Sequence, residues 1–296
     1  MTASTGTSPD RTDDSTVQGY DPAFLGTSEQ VPAPSHDRLV VLDYVHFSVH
    51  QDTERRLAAN TAVNIDGARL RDVGRSDHWR FDDRLPREHQ SGEDLYGHND
   101  LDRGHLVRRR DPVWGEDSIA RQANSDTFHY TVAAPQAGYF NQSHELWLGV
   151  EDHVLEHARA AEQKLSVFTG CLFADDDPEY RGEFLIPRRF FKIAAWNLQP
   201  ELGTLATTGY LLDQGEGLDR IIRRGLRPGE EVEGPGPFKT YQVPVADIAE
   251  LSGLAMEQLI QADRYRVPAD GQDEDVRSVR AVRRWRELEG FDDITL

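Results

Sequence analysis

Residues 101–110 read LDRGHLVRRR, and the fold turns on how they are read. Asp102, Arg103, Gly104 and His105 place a carboxylate, a guanidinium, a residue without a side chain and an imidazole in consecutive positions. Arg108, Arg109 and Arg110 follow at once. The chain has 33 basic and 52 acidic residues and a net charge of −19, so this stretch is a local reversal of sign. An imidazole exchanges a proton near neutral pH. Arginine forks onto phosphate oxygens, and glycine lets a backbone bend or approach closely. The set suits a phosphodiester. Taken alone, it equally fits a solvated basic turn beside a structural histidine, and the rest of the chain has to decide.

A chain of 296 residues, 38% of them hydrophobic, can build one large core or two small ones. Its acidity argues against non-specific adhesion to nucleic acid or anionic membrane, but not against a focused basic cleft. The single cysteine, Cys171, excludes a disulfide framework and a cysteine-based zinc site within one chain. It lies in an apolar run and reads as a buried, inert thiol. No segment is long and apolar enough to span a membrane. The opening residues, MTASTGTSPDRTDD, lack the basic and apolar regions of a secretory signal. The expected location is therefore the cytoplasm, or the exterior by a non-classical route.

Residues 1–35 are rich in Ser, Thr, Asp, Gly and Pro and read as a disordered tail, in which residues 20–25 could dock. Residues 38–50 and 60–65 read as strands, 85–99 as a loop and 127–134 as a strand broken by Pro135 and Gly138. Residues 144–165 carry Trp147, Val150, Val154, Ala158, Ala161 and Leu165 at helical spacing, one apolar stripe. Further strands are expected at 165–173, 189–196, 204–211 and 240–245. A Gly/Pro/Glu-rich excursion (213–237) intervenes, and a helix is expected over 245–261. Residues 36–262 form the expected domain. Residues 263–296 form a charged C-terminal extension, with a weak amphipathic helix over 276–288 packed on the domain. Strands interrupted by a few helices, without βαβ alternation, point to α+β.

The motif Asp-Arg-Gly-His is accompanied by residues 75–82 (RSDHWRFD) upstream. Downstream come 127–136 ending in Ala-Pro-Gln, then Phe140-Asn141-Gln142, then Trp147 to Glu151 on the helix. Residues 167–170 (VFTG) and 186–192 (IPRRFFK) follow. In this order the motifs resemble the DNA/RNA non-specific endonuclease family, the ββα-metal or His-Me finger nucleases, over roughly residues 38–254. The resemblance implies a mainly antiparallel central sheet flanked by helices, and a finger made of the His105 segment, the strand over 127–134 and the helix after Asn141.

It also implies roles. His105 matches the general base. Asn141 matches the one protein ligand of a divalent cation, Mg²⁺ with Mn²⁺ as a substitute, and Glu151 matches the acid holding the metal's water. Arg75 and Arg103 match arginines at the phosphate, with Asp102 in support; Arg108, Arg109, Arg110 and Arg159 are candidate substrate contacts. The implied reaction is hydrolysis of DNA and RNA to 5′-phosphate products, with little base specificity, because phosphate contacts position a substrate without reading sequence. An inhibitor or immunity-type partner would restrain such an activity.

The chemistry needs these residue types. A neutral imidazole can deprotonate water if its pKa lies near the working pH. A hard cation prefers oxygen ligands and keeps several waters, so one neutral carbonyl oxygen leaves room for phosphate. Fixed guanidinium charge is useful where negative charge develops. Three departures from the family pattern stand out. Val132 stands where many relatives have asparagine. The interval from Asn141 to Glu151 is two residues longer than usual. Leu155 stands where relatives often carry arginine. They motivate a second reading, a nucleic-acid-binding module with the nuclease fold and little turnover. His153 and His157, four apart, read as a solvated helix face rather than a zinc pair.

Overall fold

The structure is a computed structural model that describes residues 19–98, 101–137, 162–223, 239–266 and 285–288. Eight strands form one antiparallel sheet in the order β1-β2-β3-β6-β9-β10-β11-β12. They are β1 (Val40–Tyr44), β2 (Phe47–Asp52), β3 (Leu57–Asp66), β6 (Lys164–Leu172), β9 (Arg189–Gln199), β10 (Thr204–Asp213), β11 (Lys239–Val243) and β12 (Arg286–Glu287). Two short ladders stand apart: β4 (Leu101–His105) with β5 (Ala133–Ala137), and β7 (Glu179–Tyr180) with β8 (Phe184–Leu185). Among the described residues no helix is long and apolar enough to cross a membrane.

The strand period of two divides the central strands between two cores. On β6, Leu165, Val167 and Cys171 join one cluster, while Phe168 and Leu172 join the other. On β9, Phe190 faces the first, and Phe191, Ile193 and Ala195 the second. The first cluster takes in Leu101, Leu106, Val107, Tyr130 and Val132 from the β4–β5 region. It also includes Leu95 and Tyr96 of the short helix α1 (Glu93–Tyr96), and Leu218 and Ile221 of α3 (Gly215–Arg223). The second is covered by α4 (Val245–Ser252), α5 (Glu257–Gln261) and the segment containing Leu25 and Val31. Helical cover among the described residues is modest. Of the residues expected to form the longest helix, 144–165, those at 144–161 lie outside them, and Lys164 and Leu165 are not helical but open β6.

Several expectations are corrected. The tail does not extend to residue 35. From Gly19 the chain is built onto the sheet, with Gly19 N–H donating to the Tyr44 carbonyl (2.6 Å), Tyr20 N–H to Ser48 Oγ (2.8 Å) and Asp21 N–H to Asn64 Oδ1 (2.7 Å). Residues 38–50 form a hairpin rather than one strand, because His46 turns the chain in the left-handed region (φ 67°). Tertiary contacts hold it there: its Nδ1 is 2.8 Å from the Pro112 carbonyl oxygen, and its ring stacks on Trp114 at 3.4 Å.

The stretch expected as a strand over 127–134 instead closes α2 (Asp117–Asp126), passes through a 3-10 turn (Tyr130–Val132), and becomes a strand only at Ala133. It then runs through Pro135, which a two-stranded ladder tolerates. The helix over 245–261 is split into α4 and α5 by Gly253, whose φ of 68° ends α4. Residues 285–288 are not helical: β12 pairs with β11 through Tyr241↔Glu287 and Gln242↔Arg286. The remainder of 276–288 lies outside the described residues.

Candidate active site

The motif that opened the sequence is a strand. Antiparallel pairing sets Asp102 opposite Gln136, Arg103 opposite Pro135, Gly104 opposite Ala134 and His105 opposite Ala133. Gln214, buried at the end of β10, fastens this ladder to the main sheet. It accepts from Ala137 N–H (3.0 Å) and donates to the carbonyls of Pro135 (3.2 Å) and Pro187 (2.8 Å).

His105 closes the strand. Its ring lies 4.9 Å from Trp79 and 5.3 Å, edge-on, from Phe128. Nε2 is sealed from solvent and makes no hydrogen bond. Burial, then Arg75 and Arg109, lower the pKa to about 3, with Asp77 and a Thr127 backbone hydrogen bond acting the other way. The imidazole is neutral at pH 7.

In front of Trp79 lies an open cleft of about 800 Å³, lined by Arg75, Asp77, His78, Trp79, Glu93, Asp102, Arg103 and Tyr130. Three of the sequence-predicted residues, Arg75, Asp102 and Arg103, therefore meet there. His105 is not in its lining and stands behind Trp79. Arg103 Nη1 is 2.8 Å from Glu93 Oε1, and Tyr130 Oη donates to the same oxygen at 2.7 Å. Arg75 pairs with Asp77 at 3.0 Å.

Arg108, Arg109 and Arg110 lie outside this lining. Arg109 Nη1 donates to the Val73 carbonyl (2.8 Å) and Asn124 Oδ1 (3.0 Å), and Arg110 pairs with Asp72 at 3.6 Å. These contacts hold the loop that leads to Arg75. The far end of that loop is held by Asp82, which is buried. Tyr44 Oη donates to Asp82 Oδ2 (2.5 Å) and lies 2.8 Å from Thr131 Oγ1, while Arg84 clasps the carboxylate through Nε and Nη2. Burial alone would raise the Asp82 pKa. The hydrogen bonds from Arg84 and Tyr44 outweigh it and hold the carboxyl well below the usual range.

Sequence reasoning missed Glu93, Tyr130 and the shielding role of Trp79. Trp79 was in plain view inside the arginine motif. Glu93 and Tyr130 sit 37 positions apart, and only the packing of α1 on the β4–β5 region joins them. Asn141, Glu151 and Arg159 lie outside the described residues. Among the described residues no group of three His, Cys, Asp or Glu side chains could hold a metal ion.

The described residues form a central antiparallel sheet and a separate two-stranded ladder bearing Asp-Arg-Gly-His, and this fold has a solved counterpart. It superposes with a TM-score of 0.54 on a chain from the crystal structure of the EndoG/EndoGI complex, at 18% identity, covering 75% of this chain and 86% of that one. The model of the DNA/RNA non-specific endonuclease family matches residues 26–263, and the chain belongs to that family. It is 43% identical over 241 residues to the uncharacterized protein y4fB of Sinorhizobium fredii, covering 78% of this chain and 36% of that protein. It is 26% identical over 187 residues to mitochondrial endonuclease G of Homo sapiens, covering 60% and 54% respectively. The chain thus spans between about a third and about half of the length of these curated relatives.

Proposed function

We propose that the protein is a metal-dependent endonuclease of the ββα-metal class that hydrolyses phosphodiester bonds of DNA and RNA without strong base preference. The observation that carries this reading is the meeting of Arg75, Asp102 and Arg103 in one cleft, with the His105 imidazole 4.9 Å from the Trp79 ring that lines it. His105 accepts the proton of the attacking water at Nε2. Arg75 and Arg103 hold the phosphate, with Asp102 in support. Arg108, Arg109, Arg110 and Arg159 are additional cations along the substrate path. When bound, a divalent cation such as Mg²⁺, held by Asn141 and by Glu151 through water, supplies positive charge at the leaving 3′ oxygen. A pKa of about 3 is low for a base working near neutral pH. A phosphodiester paired with Arg75 removes one of the charges that depress it and brings the imidazole back towards that range. An inhibitor partner belongs to the same reading, since the solved EndoG fold is that of an inhibited complex.

The sealed Nε2 favours the second reading, a nucleic-acid-binding module with little turnover, if substrate does not open it. One experiment separates the two. Supercoiled plasmid and single-stranded RNA are incubated with purified protein in Mg²⁺, Mn²⁺ or EDTA, alongside His105→Ala and Asn141→Ala. Metal-dependent loss of both substrates, abolished in the variants, is the expected result. Retained binding in a mobility shift without cleavage under any metal would leave the binding module.

A further inference from the structure

Each arginine lining the cleft is already paired with a carboxylate of its own chain, and the two pairs differ. Arg75 and Asp77 are both more than half exposed, and such a pair contributes little. Glu93 is built in. A single oxygen, Oε1, receives both Arg103 Nη1 at 2.8 Å and Tyr130 Oη at 2.7 Å. Tyr130 is buried, with Phe81 at 4.9 Å and Tyr96 at 6.2 Å fixing its ring. The Arg103 guanidinium lies 5.8 Å from the centre of the Trp79 ring. Glu93 itself opens α1, anchored by Gly97 N–H to its carbonyl at 2.8 Å. Its carboxylate is an anionic, acceptor-only group beside a guanidinium, as a phosphate oxygen would be.

We propose that Glu93 is an internal phosphate mimic that guards Arg103, so that the cleft selects extended phosphodiester strands over small phosphate-bearing ions. The inference rests on the nuclease reading above for the identity of the strand. A tethered carboxylate competes at an effective concentration on the order of millimolar. Inorganic phosphate or a mononucleotide offers one contact and does not displace it at lower concentrations. A strand that also reaches Arg75 brings its next phosphate to Arg103 as a tethered group itself, and the exchange becomes even. Glu93 then swings off Arg103 while the strand is held and returns when short products leave. Products ending in a single 5′-phosphate are released rather than retained.

The test uses the full chain with Glu93→Gln, which keeps the shape and an acceptor oxygen for Tyr130 and removes the charge. Binding of a labelled duplex oligonucleotide is measured in EDTA, in an Arg103 and an Arg103→Ala background, with inorganic phosphate and a 5′-mononucleotide as competitors. Glu93→Gln is expected to bind about three- to tenfold more tightly, and the gain is absent in the Arg103→Ala background. Both small anions compete with the variant at submillimolar concentration, and with wild type only at millimolar concentration or above. Tyr130→Phe, which removes the second donor to the same oxygen, shows a smaller gain in the same direction. In the Mg²⁺ plasmid assay Glu93→Gln lowers KM. Unchanged or weaker binding by a variant that melts like wild type overturns the proposal. So does a gain that persists with Arg103→Ala, which would reflect net charge alone. Wild-type binding without cleavage under any metal sinks the nuclease reading, while the binding cycle still decides the role of Glu93. Absence of binding by wild type and variant alike overturns both.

Discussion

Gln136 occupies the space that a side chain on Gly104 would need. A Cβ built on Gly104 lies 2.1 Å from both Cδ and Oε1 of Gln136 and 2.6 Å from its Cγ. The glycine of the motif thus serves a cross-strand packing need and not a turn. Its neighbour Gln136 is buried and sits two residues along from Ala134, the direct partner of Gly104, the diagonal position on the same face. Gly104→Ala is expected to destabilise the protein by about 1–3 kcal/mol through overpacking. Adding Gln136→Ala should restore most of that loss. Thermal melts of the single and double variants decide it, and a double variant no better than Gly104→Ala would refute the assignment.

Trp79 separates His105 from the cleft. Trp79→Ala is expected to admit water to Nε2 and to raise the His105 pKa from about 3 towards the ordinary histidine value of about 6.5. Arg75 and Arg109 still act on the ring, so the rise stops short of full recovery. An NMR titration of the imidazole signals, assigned by comparison with His105→Ala, reads this directly. An unmoved pKa would mean that another group seals the nitrogen.

His46 makes the fold acid-sensitive. Burial lowers its pKa to about 4, against the opposing effect of its bond to the Pro112 carbonyl. The folded form holds it neutral, while the unfolded chain protonates it near the ordinary histidine value of 6.5. Its contribution is therefore complete above about pH 6.5 and is lost as pH falls towards 4. At pH 5 the loss is about 2 kcal/mol from this residue. Urea unfolding at pH 7 and pH 5 should show a lower midpoint at pH 5. A midpoint independent of pH over that range would contradict the burial argument.

Asp82→Asn should loosen the Arg75–Asp82 loop. The substitution weakens the charge-assisted hydrogen bonds from Tyr44 and Arg84 at a buried carboxylate, a loss of about 2 kcal/mol. Because the same loop carries Arg75 and Trp79, KM for nucleic acid should rise together with the fall in Tm. Tyr44→Phe, which leaves Arg84 in place, should give the same pattern at about half the size. A stability loss with unaltered KM would confine Asp82 to the scaffold.

Much of the sheet was legible because β3, β6, β9 and β10 alternate or run continuously apolar over long stretches. The site was partly legible for a different reason. Arg75, Asp102, Arg103 and His105 occur in short motifs, and a motif survives as a string. Glu93 is invisible in that way: it stands in a Gly-flanked loop sequence, and its meaning comes from Tyr130 and Arg103 meeting it in space. The strand over 127–134 was misjudged because Thr127 to Val132 have strand-like composition, yet Phe128 and Tyr130 are claimed by the Trp79 cluster. His46 shows the same effect. Stacking on Trp114, 68 positions away, fixes a left-handed turn that local propensity gives no reason to expect.

The recognisable family stretch, residues 26–263, is shorter than what holds the sheet together. Gly19 and Tyr20 bind β1 and β2 from one side of that stretch, and Leu25 is buried beneath them. From the other side, β12 covers the free edge of β11, pinned by Trp285 Nε1 to Asp247 Oδ2 (2.9 Å) and Lys239 Nζ to Glu287 Oε2 (3.2 Å). A chain trimmed to the match would keep every motif and still lose the caps at both margins of its ladder. It would expose unpaired strand edges that invite self-association. Anyone producing this domain in isolation should therefore take its borders from hydrogen bonding and not from kinship.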